Sequence, residues 1–365
     1  MEELWEVTGM FFQVENNKKT KNKWLKYLLG GSLPVVGILL LCLMVLPVIF
    51  GASTAGSDSI QRIVEFQGMP WEVIQKSYEE HLNNKNIDYI SLVAYANTVS
   101  GLEWDKYDLN DIHVAATSGK PIEQLLTKSQ KETYDELYPM LKDIMCSYVG
   151  NYEDTESTTE TVSDSNSESA VQSSDTVENS KQITKTVTVQ KYGVKDFYPF
   201  AEGFTYDHTN SFGAARSYGG ERQHEGNDIM APEMTPIVAI EDGWIKDIGW
   251  NEYGGYRIGI RTYDEKRYYY YAHMYYLHPY ADGMAVGTKV TAGTVIGFVG
   301  ATGYSKVEGT TGLFATHLHL QIGVDYDING KKERVYFDPY PFMKFIENNR
   351  KATLKKIDNF HYIRD

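Results

Sequence analysis

Hydrophobic and polar positions divide this chain into stretches of different texture. No charged residue occurs over 27–57, and 35–50 is almost wholly apolar. A bilayer is crossed by roughly 20 such residues, so the pattern predicts one transmembrane helix over 27–52. Pro34 and Pro47 fall near its ends, where a missing backbone donor matters least. A buried core helix would be shorter and would carry a polar stripe. Residues 58–150 show helical spacing instead. Pro70 precedes Trp71, Ile74 and Tyr78 on one face, and Pro121 opens a run through Tyr134, Leu137, Leu141, Ile144 and Met145.

From 151 to 185 Ser, Thr, Glu and Asp dominate and almost nothing is available to bury. That composition predicts a disordered linker with an r.m.s. reach of roughly 30 Å. Beyond it, over 186–350, apolar and polar residues alternate in short runs between Gly, Asp and Asn turns, at 236–240, 243–249, 256–261, 267–273, 295–299 and 317–322. Closely spaced runs of this kind predict a mainly β domain built on an antiparallel sheet, closed by a short helix over 342–348.

Charge gives the chain a direction. Lys18, Lys19, Lys21, Lys23 and Lys26 precede the apolar run, and Asp58 is the first charge after it. The positive-inside rule then leaves 1–26 in the cytoplasm and everything after about Ser53 outside the cell. A cleaved signal peptide is the competing reading, since Ser53, Thr54 and Ala55 loosely resemble a cleavage site. In either case the C-terminal part is exported. The net charge of −14 argues against a nucleic-acid partner, which would need a basic face. Cys42 and Cys146 are too few for a disulfide framework, and Leu41 before Cys42 makes a poor lipoprotein site. Residues 58–150 read as a small adaptor or spacer region, open to partners in the envelope, with His81 and His113 as ordinary histidines.

Candidate chemistry is confined to the β-rich part. His224 and Asp228 stand four apart, hence on one face of an extended segment. His317 and His319 stand two apart on a predicted strand, and His273 ends the tyrosine run begun at Tyr268. Gly300-x-Thr302-Gly303 makes a tight turn before the histidine pair. Each of these histidines alone would read as a core or surface side chain. Together, five such groups indicate a metal site, and two histidines with one carboxylate suit Zn²⁺ with a fourth position open to water. Zinc lowers the pKa of such a water toward 7 and polarises a carbonyl, which makes a hydrolase. The two groups left over are available for proton transfer and oxyanion stabilisation.

In this order and spacing the motifs resemble the lysostaphin-type, or β-lytic, family of peptidoglycan metalloendopeptidases, over about 198–345. The resemblance implies a twisted antiparallel sheet with an open groove, and peptidoglycan stems or cross-bridges as substrate. It implies His224, Asp228 and His319 as zinc ligands, and His273 and His317 as catalytic histidines outside the ligand set. Tyr218, six residues before His224, matches a family tyrosine that holds the developing oxyanion. The connection over 306–316 is longer than the family's, and it carries Leu313 and Phe314. It is expected to border the groove as a lid or specificity loop. The layout as a whole also resembles membrane-anchored wall hydrolases of Gram-positive conjugative elements. Since neutral imidazoles are required, activity is expected to fall below about pH 6. The rival from another class is a non-catalytic, zinc-binding envelope scaffold.

Overall fold

Pro70 sets the entry to the first helix, α1 (Trp71–Asn83), which buries Val73, Ile74 and Tyr78. The computed structural model of the chain describes residues 68–162, 181–218, 220–328 and 331–364. The predicted cytoplasmic segment and the anchor over 27–52 lie outside those residues. Among the described residues no helix is long and apolar enough to cross a membrane. Asp88 caps α2 (Tyr89–Ser100) by accepting from the Ile90 N–H, and Gly101 ends it in the left-handed conformation. Next come α3 (Asn110–Thr117) and α4 (Lys128–Met145). The single helix predicted from Pro121 is divided. Residues Ile122–Gln124 form one 3₁₀ turn, and α4 starts afresh where Thr127 and Gln130 make a reciprocal capping box.

The predicted disordered linker is corrected in part. Strands β1 (Val149–Val162) and β2 (Lys181–Val194) pair antiparallel over fourteen residues each, so only 163–180 of it lies outside the described residues. Composition misled because a ribbon needs little core: the ladder satisfies its own backbone groups, and β2 is rich in β-branched residues. The root is fixed by burial of Tyr148, Val149 and Val194. Arg350 adds a guanidinium stacked 3.7 Å from the Tyr152 ring centre.

The remaining strands are β3 (Asp207–His208), β4 (Ala215–Arg216), β5 (Arg222–Gln223), β6 (Asn227–Met230), β7 (Pro236–Val238), β8 (Gly243–Asn251), β9 (Gly255–Thr262), β10 (Arg267–Ala272), β11 (Lys289–Val290), β12 (Val295–Phe298), β13 (His317–Ile328) and β14 (Lys331–Phe337). Helix α5 (Tyr340–Asn349) follows, then β15 (Leu354–Lys356) and β16 (Tyr362–Arg364). Among the described residues eight of these strands form one antiparallel sheet in the order β11-β8-β9-β10-β13-β6-β3, with β14 also paired to β13. Alternation divides its faces. Tyr269, Tyr271, Leu318, Leu320 and Ile322 are fully buried on one side, whereas Tyr270, His319 and Gln321 line a groove on the other.

The helices do not form a separate spacer. One continuous core runs from Met69, Val73 and Leu141 through Tyr269 and Leu320 to Phe345 and Ile346. Its polar centre is Arg267, fully buried, which donates from Nε and Nη2 to both oxygens of Glu241 at 2.8 Å. The same guanidinium donates from Nη1 to the Asp143 carbonyl of α4 at 2.7 Å, joining helices to sheet. Removing Glu241 leaves the buried Arg267 only the half-exposed Asp264, 3.0 Å from Nη2, as counterion, and breaking a buried pair costs about 3–5 kcal/mol. Glu241→Ala should therefore lower the unfolding free energy by about that amount in guanidinium titrations. A loss below about 1 kcal/mol, the scale of an exposed pair, would contradict this account of the core.

Candidate metal centre and active site

Register decides which side chains meet. Strand β13 lies between β6 and β10, with His319 opposite Asp228 on one side and Ala272 on the other. His273 follows Ala272 directly, and His317 shares a strand face with His319. His224 comes in from the end of β5. Its Nε2 lies 2.8 Å from Nδ1 of His319 and 3.0 Å from Oδ1 of Asp228. The third edge, His319 Nδ1 to Asp228 Oδ1, is 3.0 Å. The structure thus brings together the three groups predicted as ligands, in a cluster able to hold a metal ion.

Backbone carbonyls set the proton positions. His224 Nδ1 lies 2.8 Å from the Ser211 carbonyl, His273 Nδ1 2.7 Å from that of Thr302, and His317 Nδ1 2.7 Å from that of Ala315. A carbonyl only accepts, so each neutral ring carries its proton on Nδ1 and keeps a lone pair on Nε2. His317 Nε2 is 3.5 Å from Asp228 Oδ1. The His273 ring centre is 4.7 Å from that of His317 and 5.7 Å from that of His319. In the ligand triangle at most one proton, on His319 Nδ1, serves three electron-rich atoms, and a cation would resolve that conflict.

Burial keeps the rings of His273, His317 and His319 neutral. Loss of solvent, reinforced by the neighbouring His317 and His319, holds His273 well below the usual imidazole range. Burial likewise lowers His317, and His319 falls to about 4. For Asp228 burial alone would raise the pKa. Hydrogen bonding to His224 and His319 overrides it and keeps the group ionised well below the usual carboxylate range.

The Gly300-x-Thr302-Gly303 turn has a clear purpose. His273 has φ +63°, a conformation that non-glycine residues seldom adopt, and it persists because its surroundings fix it. Its N–H donates to Gly254 O, its carbonyl accepts from Gly300 N–H, and its ring donates to Thr302 O. Thr302 Oγ1 also donates to Met274 O at 2.6 Å. A Cβ at Gly303 would lie 2.5 Å from the Tyr253 carbonyl, so only glycine permits the approach. The loop over 306–316 borders the histidines as expected, with the Phe314 ring centre 4.6 Å from that of His273.

Tyr218 stands farther off. Its ring packs on Tyr304 at 4.9 Å, and Tyr304 in turn contacts His273 at 5.6 Å. The Tyr218 ring also packs edge-on against Tyr253 at 5.8 Å. Sequence reasoning missed Arg216, which donates to the outer oxygen, Oδ2, of Asp228. It also missed Ser211, whose carbonyl orients His224 and whose Oγ accepts the Asp228 N–H at 2.9 Å. No spacing signal marks either one. A buried chain supports the strand from behind: Tyr198 O–H donates to His208 Nδ1, and His208 Nε2–H donates to Asn227 Oδ1, each at 3.1 Å.

The chain is 40% identical over 147 residues to the L-Ala--D-Glu endopeptidase of Bacillus subtilis, covering 40% of this chain and 42% of that protein. It is 35% identical over 137 residues to a glycyl-glycine endopeptidase of Staphylococcus capitis, covering 37% and 33%. The chain thus spans less than half the length of the curated relatives it matches. Among solved structures, the catalytic domain of lysostaphin from Staphylococcus simulans aligns at 31% identity over 39% of this chain and 92% of that chain, with a TM-score of 0.29. Residues 222–333, which contain both histidine motifs and the carboxylate, form a domain of peptidase family M23, the lysostaphin-type metallo-endopeptidases.

Proposed function

We propose that the chain is a zinc endopeptidase hydrolysing peptide bonds in peptidoglycan stems or cross-bridges. We place it at the cell membrane, anchored through 27–52 with its active site outside. The observation that carries the reading is the triangle of His224, Asp228 and His319, with two further imidazoles beside it whose Nε2 atoms carry lone pairs. The donor set fits the ion. Ligand atoms about 2.0 Å from a tetrahedral zinc stand about 3.3 Å apart, and the three edges here are 2.8–3.0 Å. The name of one relative supports peptidoglycan as substrate, a peptidoglycan DD-endopeptidase of Vibrio cholerae that is 33% identical over 107 residues.

Bound there, zinc supplies Lewis acidity toward a carbonyl and a water. The protein's own groups do the rest. Asp228 stays ionised, and Arg216 holds its outer oxygen so that the inner one faces the site. His273, oriented by Thr302, accepts the proton lost as a water attacks the carbonyl. The His273 ring then returns that proton from Nε2 to the leaving amine, and His317, fixed by Ala315, stands beside it with the ring centres 4.7 Å apart. Phe314 and Tyr304 cover the two imidazoles and limit water around them.

The test is to incubate the full-length chain, zinc-loaded in mild detergent, with sacculi of differing cross-link chemistry and to read new peptide ends by mass spectrometry. His319→Ala should lose its bound metal and at least about a thousandfold in rate. No cleavage of any sacculus with one zinc bound per chain would favour the scaffold reading. The pH profile gives a second check. An unperturbed imidazole protonates as pH falls through about 6.5. Here the folded pKa values are depressed, so the neutral form persists below 6.5 and is lost as pH falls through the folded value, about 4 for His319. Activity should hold from pH 7 to about pH 5 and collapse towards pH 4, lower than the pH 6 limit that free histidines suggest. A half-maximal point near 6.5 would show that these rings are not buried in the working enzyme.

A further inference from the structure

Charge along the groove is unevenly partnered. The groove, about 580 Å³, is lined beside the histidines by Arg222, Glu225, Asn251, Tyr253, Tyr270 and Gln321. Its polar side chains are mostly matched to one another. Gln321 donates to Glu225 at 3.4 Å, Asn251 donates to the Tyr270 hydroxyl at 2.8 Å, and Asn251 Oδ1 accepts from Gly254 N–H. Arg222 is the exception. Its Nε is buried without a hydrogen-bond partner, and among the described residues no carboxylate pairs with it. Its guanidinium rests 5.2 Å from the centre of the Tyr253 ring.

The local fold makes this costly. Arg222 lies directly opposite Arg216 in the short β4–β5 ribbon. Like charges facing across a strand pair repel. Arg216 is neutralised by Asp228, but among the described residues Arg222 has no such counterion. A half-buried guanidinium with an unmet donor is destabilising in the free protein, unless a ligand arrives to complete it. The planar fork of arginine matches a carboxylate, and a ring behind it holds that plane in place.

Position indicates where such a carboxylate would sit. Arg222 precedes the ligand histidine His224 by two residues, about 7 Å along an extended strand. That is the length of about two residues of an extended peptide lying beside it. Aromatic rings form a continuous wall between the two places. Tyr253 contacts Tyr218 at 5.8 Å, Tyr218 contacts Tyr304 at 4.9 Å, and Tyr304 contacts His273 at 5.6 Å. A peptide following this wall with its reacting carbonyl at the histidines brings its next or next-but-one residue to Arg222.

We infer that Arg222 is a specificity residue that binds a free carboxylate on an acidic residue one or two positions from the scissile bond. The inference rests on the peptidase reading of the same site, and it narrows the substrate to acidic peptide stems over uncharged bridges such as glycine chains.

Two synthetic stem peptides test it, identical except that the acidic residue flanking the scissile bond carries a carboxylate in one and a carboxamide in the other. With the zinc-loaded full-length chain, kcat/KM should favour the acid by at least about tenfold, chiefly through KM. In Arg222→Gln the acid-to-amide ratio should fall to about one, and Arg222→Lys should restore part of it. A wild-type ratio below about two, or a ratio unchanged in Arg222→Gln, overturns the assignment. Should either protein cleave neither peptide, calorimetric binding of the same pair decides the matter independently of catalysis. Tighter binding of the acid by wild type than by Arg222→Gln upholds the residue's role, even if the peptidase reading fails. Equal binding overturns it.

Discussion

The antiparallel register of β13 against β6 and β10 is the constraint on which the site depends. It places Asp228, His319 and Ala272 in one row across three strands, and His273 follows from the last of these. Side chains alternate along a strand, so a slip of one residue would turn His317 and His319 into the core and Leu318 and Leu320 into the groove. The buried face prevents that slip, because Leu318, Leu320 and Ile322 are fully enclosed. The same alternation that forms the hydrophobic core therefore fixes the positions of the chemically active groups. The hydrogen-bonded chain from Tyr198 through His208 to Asn227 holds the end of β6 beside Asp228.

Within that frame, backbone carbonyls do much of the electrostatic work. Those of Ser211, Thr302 and Ala315 each take the Nδ1 proton of one imidazole, which directs three Nε2 lone pairs inward. Neutral carbonyls achieve this without adding charge to a buried site, where every further carboxylate would raise the histidine pKa values. Asp228 is the one anion in the cluster, and Arg216 binds the oxygen that the cluster does not use. The orientation of the imidazoles thus comes from loops whose close approach depends on small residues such as Gly303.

Short-range spacing made the site legible in the sequence. His224 with Asp228 and His317 with His319 are periodic pairs, and the tyrosine run ending at His273 is a strand by propensity alone. What stayed hidden depends on contacts between distant segments. Nothing local marks the Ser211 carbonyl as the partner of His224, or Arg216 as the partner of Asp228. Tyr218, placed by resemblance, packs on Tyr304, whose ring lies against His273. The ribbon at β1 and β2 was missed for a related reason. Composition reports what a segment can bury, but a two-stranded ladder anchored at Val149 and Val194 owes its order to pairing.

That ribbon changes how the helices and the sheet are connected. A disordered tether would let the peptidase domain search a volume around its point of attachment, trading positional control for reach. Instead α4 leads through Tyr148 into β1, β2 returns the chain to the core at Val194, and Arg267 bonds the sheet to the α4 backbone at Asp143. Helices and sheet therefore share one core and move together. Any partner that bound the helices would hold the groove at a defined angle and distance, so that access to it would be confined to what lies in front. Such fixed geometry gives the helical layer a role in positioning a groove that its own residues do not line.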